Sequence, residues 1–183
     1  RADAPARPVE EQIMDWADEV SYACHDVEDF YRAGLIPLEK LLSELAEDRP
    51  SERRGSLGPE INKFVEYLER KGEDFQVLDD AVESIFRVQN VVSGPVNRRF
   101  DGGAATRGKA ASVTSQLISA FVSEEAIHLE PVGNSGNLTR YGARLVIGDR
   151  YKKMVKTLGN LLWCYVVDRP GLASQQAGQR RII

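Results

Sequence analysis

The sequence predicts a mainly α-helical protein: a bundle of several helices with one small β-hairpin in its last third. Three observations predict it. Apolar residues recur at helical spacing in successive stretches, separated by breaks that carry Gly and Pro. The one pair of extended-looking runs, 127–132 and 138–147, flanks Gly133-Asn134-Ser135-Gly136-Asn137, the composition of a hairpin with a longer loop. The chain has 183 residues, 42% hydrophobic and 28% charged, which suits one domain with a substantial core.

Residues 1–8, rich in Pro and Ala, read as a flexible leading segment, and 9–183 as one helical domain. The stretch Ile13 to Leu38 organises the rest. At roughly 100° per residue, Ile13, Trp16, Ala17, Val20, Ala23, Cys24, Val27, Phe30 and Tyr31 share one arc about 140° wide, a strong core face. Pro8 suits the first turn of this helix, and Gly34 followed by Pro37 stops it. Pro37 opens a short second helix through Leu42, with Leu38, Leu41, Leu42 and Leu45 facing the first. Residues 47–58 are polar and breaker-rich, an exposed loop. Helices follow over Pro59 to Arg70, Phe75 to Val92 and Ala104 to Ala126, with a turn at Asp101-Gly102-Gly103. After the hairpin, Asp149 is expected to cap a helix to Val167. Pro170-Gly171 breaks that helix, and Leu172 starts another.

Opposite the core arc of the first helix lie Asp15, Asp18, Tyr22, His25, Asp26 and Asp29. Like charges at i,i+4 repel by a few tenths of a kcal/mol per pair. A tyrosine in the middle of the stripe is unusual on a purely solvated face. The stripe suggests a cation and a flat group that stacks on the ring. A plain solvated surface is the alternative, and helix geometry alone does not separate the two.

The net charge of −4 argues against a generic nucleic-acid or membrane-surface binder. Cys24 and Cys164 fall on core faces, which predicts buried free thiols in a reducing compartment. No apolar run is long enough for a bilayer and no signal peptide is visible, so the cytoplasm is the expected location. The chain starts at Arg1 and stops at Ile183 within a helical pattern, so it reads as a piece of a longer protein. There is no P-loop, no zinc-type Cys/His spacing and no G-x-S-x-G turn.

Asp18-Glu19-Val20-Ser21-Tyr22 followed by His25-Asp26-Val27-Glu28-Asp29 closely resembles the helix that carries the last metal ligand of the HD-domain deoxynucleoside triphosphate (dNTP) triphosphohydrolases, the dGTPase-like enzymes. Near the other end, Tyr165-Val166-Val167, Pro170, Leu172-Ala173, Gln175, Gly178 and Arg180 resemble the closing segment of that family. The resemblance implies an HD-domain-like helical bundle and the C-terminal portion of such an enzyme, lacking the first His and the His-Asp metal motif. It implies cleavage of a dNTP to deoxynucleoside and inorganic triphosphate with a divalent metal (Mg, Mn or Fe), and a homo-oligomer. Asp18 would be a metal ligand, Tyr22 would lie against the deoxyribose and Asp26 would accept a hydrogen bond from the 3′-hydroxyl.

His25-Asp26 is not the metal pair of that family: the resemblance implies that the metal-binding histidine and the His-Asp pair lie N-terminal to the Asp18 helix, and neighbours on a helix also point about 100° apart, which makes one metal hard to share. His25 is expected to pack or hydrogen-bond beside the site, and His128 to be structural. Arg98, Arg99 and Arg107, beside the Gly102-Gly103 turn, are the candidates for phosphate contact. Most of the metal site would lie outside this sequence, so the isolated chain is expected to be inactive. Two rival readings are a non-catalytic regulatory or scaffold domain with an HD-like fold, and a module that binds single-stranded nucleic acid through its arginines.

Overall fold

In the computed structural model of the protein, the described residues are 7–44, 57–92, 96, 98–132 and 139–169. Six α-helices and one two-stranded hairpin account for most of them. The predicted fold class, mainly helical with a small hairpin, is the one observed.

Helix α1 (Val9–Arg32) buries Trp16, Val20, Ala23, Cys24, Val27 and Tyr31. Two residues of the expected arc are outside the core: Ile13 is 41% exposed, and Ala17 is also exposed. The start of α1 is held on the hairpin side, where Val9 N–H donates to Arg140 O and Leu145 N–H to the Gln12 side chain. The helix ends at Ala33, and Gly34 takes φ +69°, the left-handed region that favours glycine.

Helix α2 (Leu38–Ser43) turns Leu38, Leu41 and Leu42 inward; Leu45, the fourth expected apolar contact, and the loop 47–56 lie outside the described residues. Helix α3 (Pro59–Arg70) has Pro at its first position and buries Ile61, Phe64, Tyr67 and Leu68. Its N-cap, Gly58, offers no side chain. The Glu44 carboxylate instead accepts from the amides of Glu60 (2.9 Å) and Ile61 (3.1 Å). Helix α4 (Phe75–Val91) is capped by Asp74, whose carboxylate accepts from Val77 N–H at 3.0 Å.

Helix α5 (Ala104–Phe121) ends five residues before the expected Ala126. Ser123 breaks it: its hydroxyl donates to Ala120 O, and its carbonyl accepts from the amides of both Ala126 and Ile127, which turns the chain into the hairpin. Strands β1 (Ile127–Pro131) and β2 (Ala143–Ile147) pair antiparallel, with Glu130 opposite Arg144 at 2.7 Å. The expected cap at Asp149 is not formed. Gly148 is the N-cap of α6 (Asp149–Leu162) and Asp149 is its first residue. The helix then widens into a π-type turn, Trp163–Val167. The helix expected from Leu172 lies outside the described residues.

One contiguous apolar core joins all six helices. Helix α1 is its axis, lying between α5 and α6. Trp16 donates its indole N–H to Phe121 O at 3.1 Å, and the rings of Trp16, Phe121 and Tyr151 meet edge to face. Cys24 is buried and Cys164 partly buried, both as free thiols, and burial pushes their pKa values up to about 12 and about 11. Among the described residues no helix is long and apolar enough to cross a membrane.

Candidate functional site

The outer face of α1 carries the acidic stripe, and its two ends are tied down. Arg7 pairs with Glu11 at 2.9 Å and with Asp15. Arg32 lies 3.6 Å from Glu28 and 3.9 Å from Asp29. Between those arginines, Asp18, Glu19, Tyr22, His25 and Asp26 have no hydrogen-bond or ion-pair partner among the described residues. Tyr22 is 69% exposed, although its ring is large and mostly apolar. His25 is exposed as well and makes none of the contacts expected of it within these residues.

Beside this stretch runs a groove of about 380 Å³ between α1 and α6. Glu19, Tyr22, Ala23 and Asp26 form one wall; Lys152, Val155, Lys156, Leu158, Gly159 and Leu162 form the other. The helical geometry explains the first wall. Tyr22 and Asp26 are one turn apart, and Asp18 is one turn further toward the N-terminus on the same exposed side, roughly 12 Å of helix in all.

The predicted arginines stand elsewhere. Tyr31 donates its hydroxyl to Arg98 O at 2.8 Å, and the Arg99 guanidinium lies over Gly34, so both are placed at the C-terminal end of α1. There Arg99 lines a separate cavity of about 750 Å³ with Tyr31, Lys40, Lys63, Tyr67 and Arg70. Arg107 bonds the Gly102 carbonyl at 2.7 Å at the start of α5. The structure therefore brings Tyr22 and Asp26 together with Asp18 beside them, and does not bring Arg98, Arg99 or Arg107 to their groove. His128 sits on the hairpin 3.3 Å from Glu130, away from the stripe.

Lysines 152 and 156 were not singled out by the sequence. Their i,i+4 spacing on a polar helix face was visible, but which helix would lie opposite α1 was not. Among the described residues no group of three or more His, Cys, Asp or Glu side chains converges on a point that would hold a metal ion. Asp18 is one carboxylate, so these residues do not by themselves form a metal centre.

Over its whole length the chain is 30% identical to a Streptomyces coelicolor protein named deoxyguanosinetriphosphate triphosphohydrolase-like protein. The chain is a relative of the dGTPase-like proteins. Proteins of the same name from Corynebacterium glutamicum and Corynebacterium efficiens are 27% and 28% identical over 94% and 98% of the chain. The chain spans about 40% of the length of the dGTPase-like relatives it matches. No protein-family model and no solved structure matches the chain. Of the closing dGTPase-like segment, Tyr165 is buried and donates to Glu60 O at 3.3 Å, while residues 170–183 lie outside the described residues.

Proposed function

We propose that this chain is the sugar-reading portion of a dNTP triphosphohydrolase, which cleaves a dNTP to deoxynucleoside and inorganic triphosphate. The observation that carries the reading is the middle of the α1 stripe, which has no partner among the described residues. Asp18, Tyr22 and Asp26 line up at one-turn intervals beside a groove, while the acidic residues on either side of them are answered by Arg7 and Arg32. The kinship with dGTPase-like proteins supports it. In this reading the Tyr22 ring lies against the deoxyribose, where a 2′-hydroxyl would meet it, and Asp26 accepts a hydrogen bond from the 3′-hydroxyl. Asp18 contributes one ligand to a divalent-metal centre whose other ligands belong to sequence outside this chain. When bound, such a cation (Mg, Mn or Fe) polarises the phosphoryl oxygens and helps activate water. Water attacks the α-phosphorus, the bond to the 5′-oxygen breaks, and that oxygen leaves protonated. A homo-oligomer in the cytoplasm goes with this reading.

The test uses the full-length protein. Asp18→Ala should abolish release of deoxynucleoside from a dNTP, with the circular dichroism spectrum and melting temperature nearly unchanged, because Asp18 is exposed and has no partner among the described residues. Unchanged turnover would remove Asp18 from the site. The 183-residue chain alone should bind metal poorly and turn over nothing.

A further inference from the structure

The α6 wall of the groove carries positive charge that the reading above leaves unused. Lys152 and Lys156, one turn apart, line the groove opposite Glu19, Tyr22 and Asp26. Their ammonium groups are half exposed and loosely held. Lys152 Nζ is 3.7 Å from Asp149 and Lys156 Nζ is 3.8 Å from Glu73, both beyond hydrogen-bond reach. Lys153 between them is engaged, 3.0 Å from Asp80. Two like charges at i,i+4 destabilise a helix face unless an anion answers them. The same wall includes Gly159, where an added Cβ would meet no atom of the described residues within 4 Å beyond its chain neighbours and its own helix backbone. Glycine weakens a helix interior, and no contact among the described residues demands one there. The space it leaves belongs to the groove.

The direction of the two helices places these charges. The ring chain Trp16–Phe121–Tyr151 ties the beginnings of α1 and α6 together, and Tyr31 and Tyr165 border one cavity at their ends. The helices therefore run in the same sense. Lys152 and Lys156 stand toward the Asp18 end of the groove, and Leu162 stands toward the Asp26 end.

We infer that Lys152 and Lys156 bind the triphosphate of the substrate, with the sugar toward Asp26; this rests on the reading of the groove proposed above. Ammonium groups on flexible stems suit a polyphosphate, whose charge is spread over several oxygens and needs no fixed fork.

The experiment titrates inorganic triphosphate and deoxyguanosine into the full-length protein and measures dGTP hydrolysis in parallel. It compares the native sequence with K152A/K156A, K152R/K156R and R98A/R99A. The expected result is triphosphate affinity reduced at least about tenfold in K152A/K156A, the loss of charged contacts. Deoxyguanosine affinity should stay unchanged, KM for dGTP should rise, and the arginine pair should restore most of the binding. Both lysines are exposed, so the fold should survive, and a melting curve checks this. Unchanged triphosphate affinity in K152A/K156A, or its loss in R98A/R99A instead, overturns the assignment and leaves the function intact. A native full-length protein that hydrolyses no dNTP overturns the function itself, and the assignment with it.

Discussion

Glu44 shows how a single side chain can define an element that begins well downstream of it. The first amides of α3 face a glycine that cannot cap them, and the Glu44 carboxylate takes two of them. A Cβ at Gly58 would collide with that carboxylate, so glycine and glutamate form one device. Glu44→Ala should cost about 1–2 kcal/mol, the range for losing an N-cap with charge-assisted bonds. Thermal denaturation followed at 222 nm should show this as a fall of a few degrees, about 2–4 °C per kcal/mol at this chain length. Glu44→Gln should lose less, because its amide oxygen still accepts. Nothing in the sequence around Gly58 announces its partner. At the same scale, Tyr22 and Asp26 were legible because they share one helix face, which periodicity fixes. Lys152 and Lys156 were not legible as groove residues, because their relation to Tyr22 exists only after α6 docks on α1.

Helices were legible wherever one face is apolar over several turns. The α1 arc named Trp16, Val20, Ala23, Cys24, Val27 and Tyr31 as core, and all six are buried. It failed at Ile13 and Ala17, because a periodicity cannot say where a helix outruns the body it packs on. The end of α5 was missed for a different reason. Val122 to Ala126 is compatible with a helix, and only the backbone bonds accepted by Ser123 divert it. In α6, Gly159 is a helix-interior glycine with open space around its Cα. Gly159→Ala should therefore raise stability by about 0.5–1 kcal/mol, seen as a higher melting temperature. A lower one would mean that the α1–α6 groove is tighter than the geometry indicates.

At the scale of the whole molecule, the described residues close a core of their own yet leave one face of the axial helix unanswered, which fits the chain's spanning about 40% of its relatives' length. The bundle is also clasped at its far end. Asp168, just past the π-type turn, lies 2.8 Å from Lys71 and accepts the Tyr67 hydroxyl proton at 2.5 Å. Lys71 first, and the Tyr67 bond second, hold the Asp168 carboxyl below its usual range; burial, then the bond to Asp168, raises the Tyr67 phenol. A carboxyl whose folded pKa is depressed adds stability above its unfolded value, about 3.9, and loses it as pH falls through the folded value. Asp168→Asn should thus lower the melting temperature at neutral pH. The gap from the native chain should close in acid, and a gap that persists at all pH values would remove the clasp from the pH response.

The run of α1 between Arg7 and Arg32 has a further consequence. Its central carboxylates have no ion-pair partner among the described residues, so ions from solution relieve their mutual repulsion, and the screening distance shrinks from about 10 Å at 0.1 M to about 3 Å at 1 M salt. Added electrolyte therefore strengthens this helix while it weakens the exposed lysine–carboxylate pairs of α6, so ionic strength redistributes stability between the two walls of the groove.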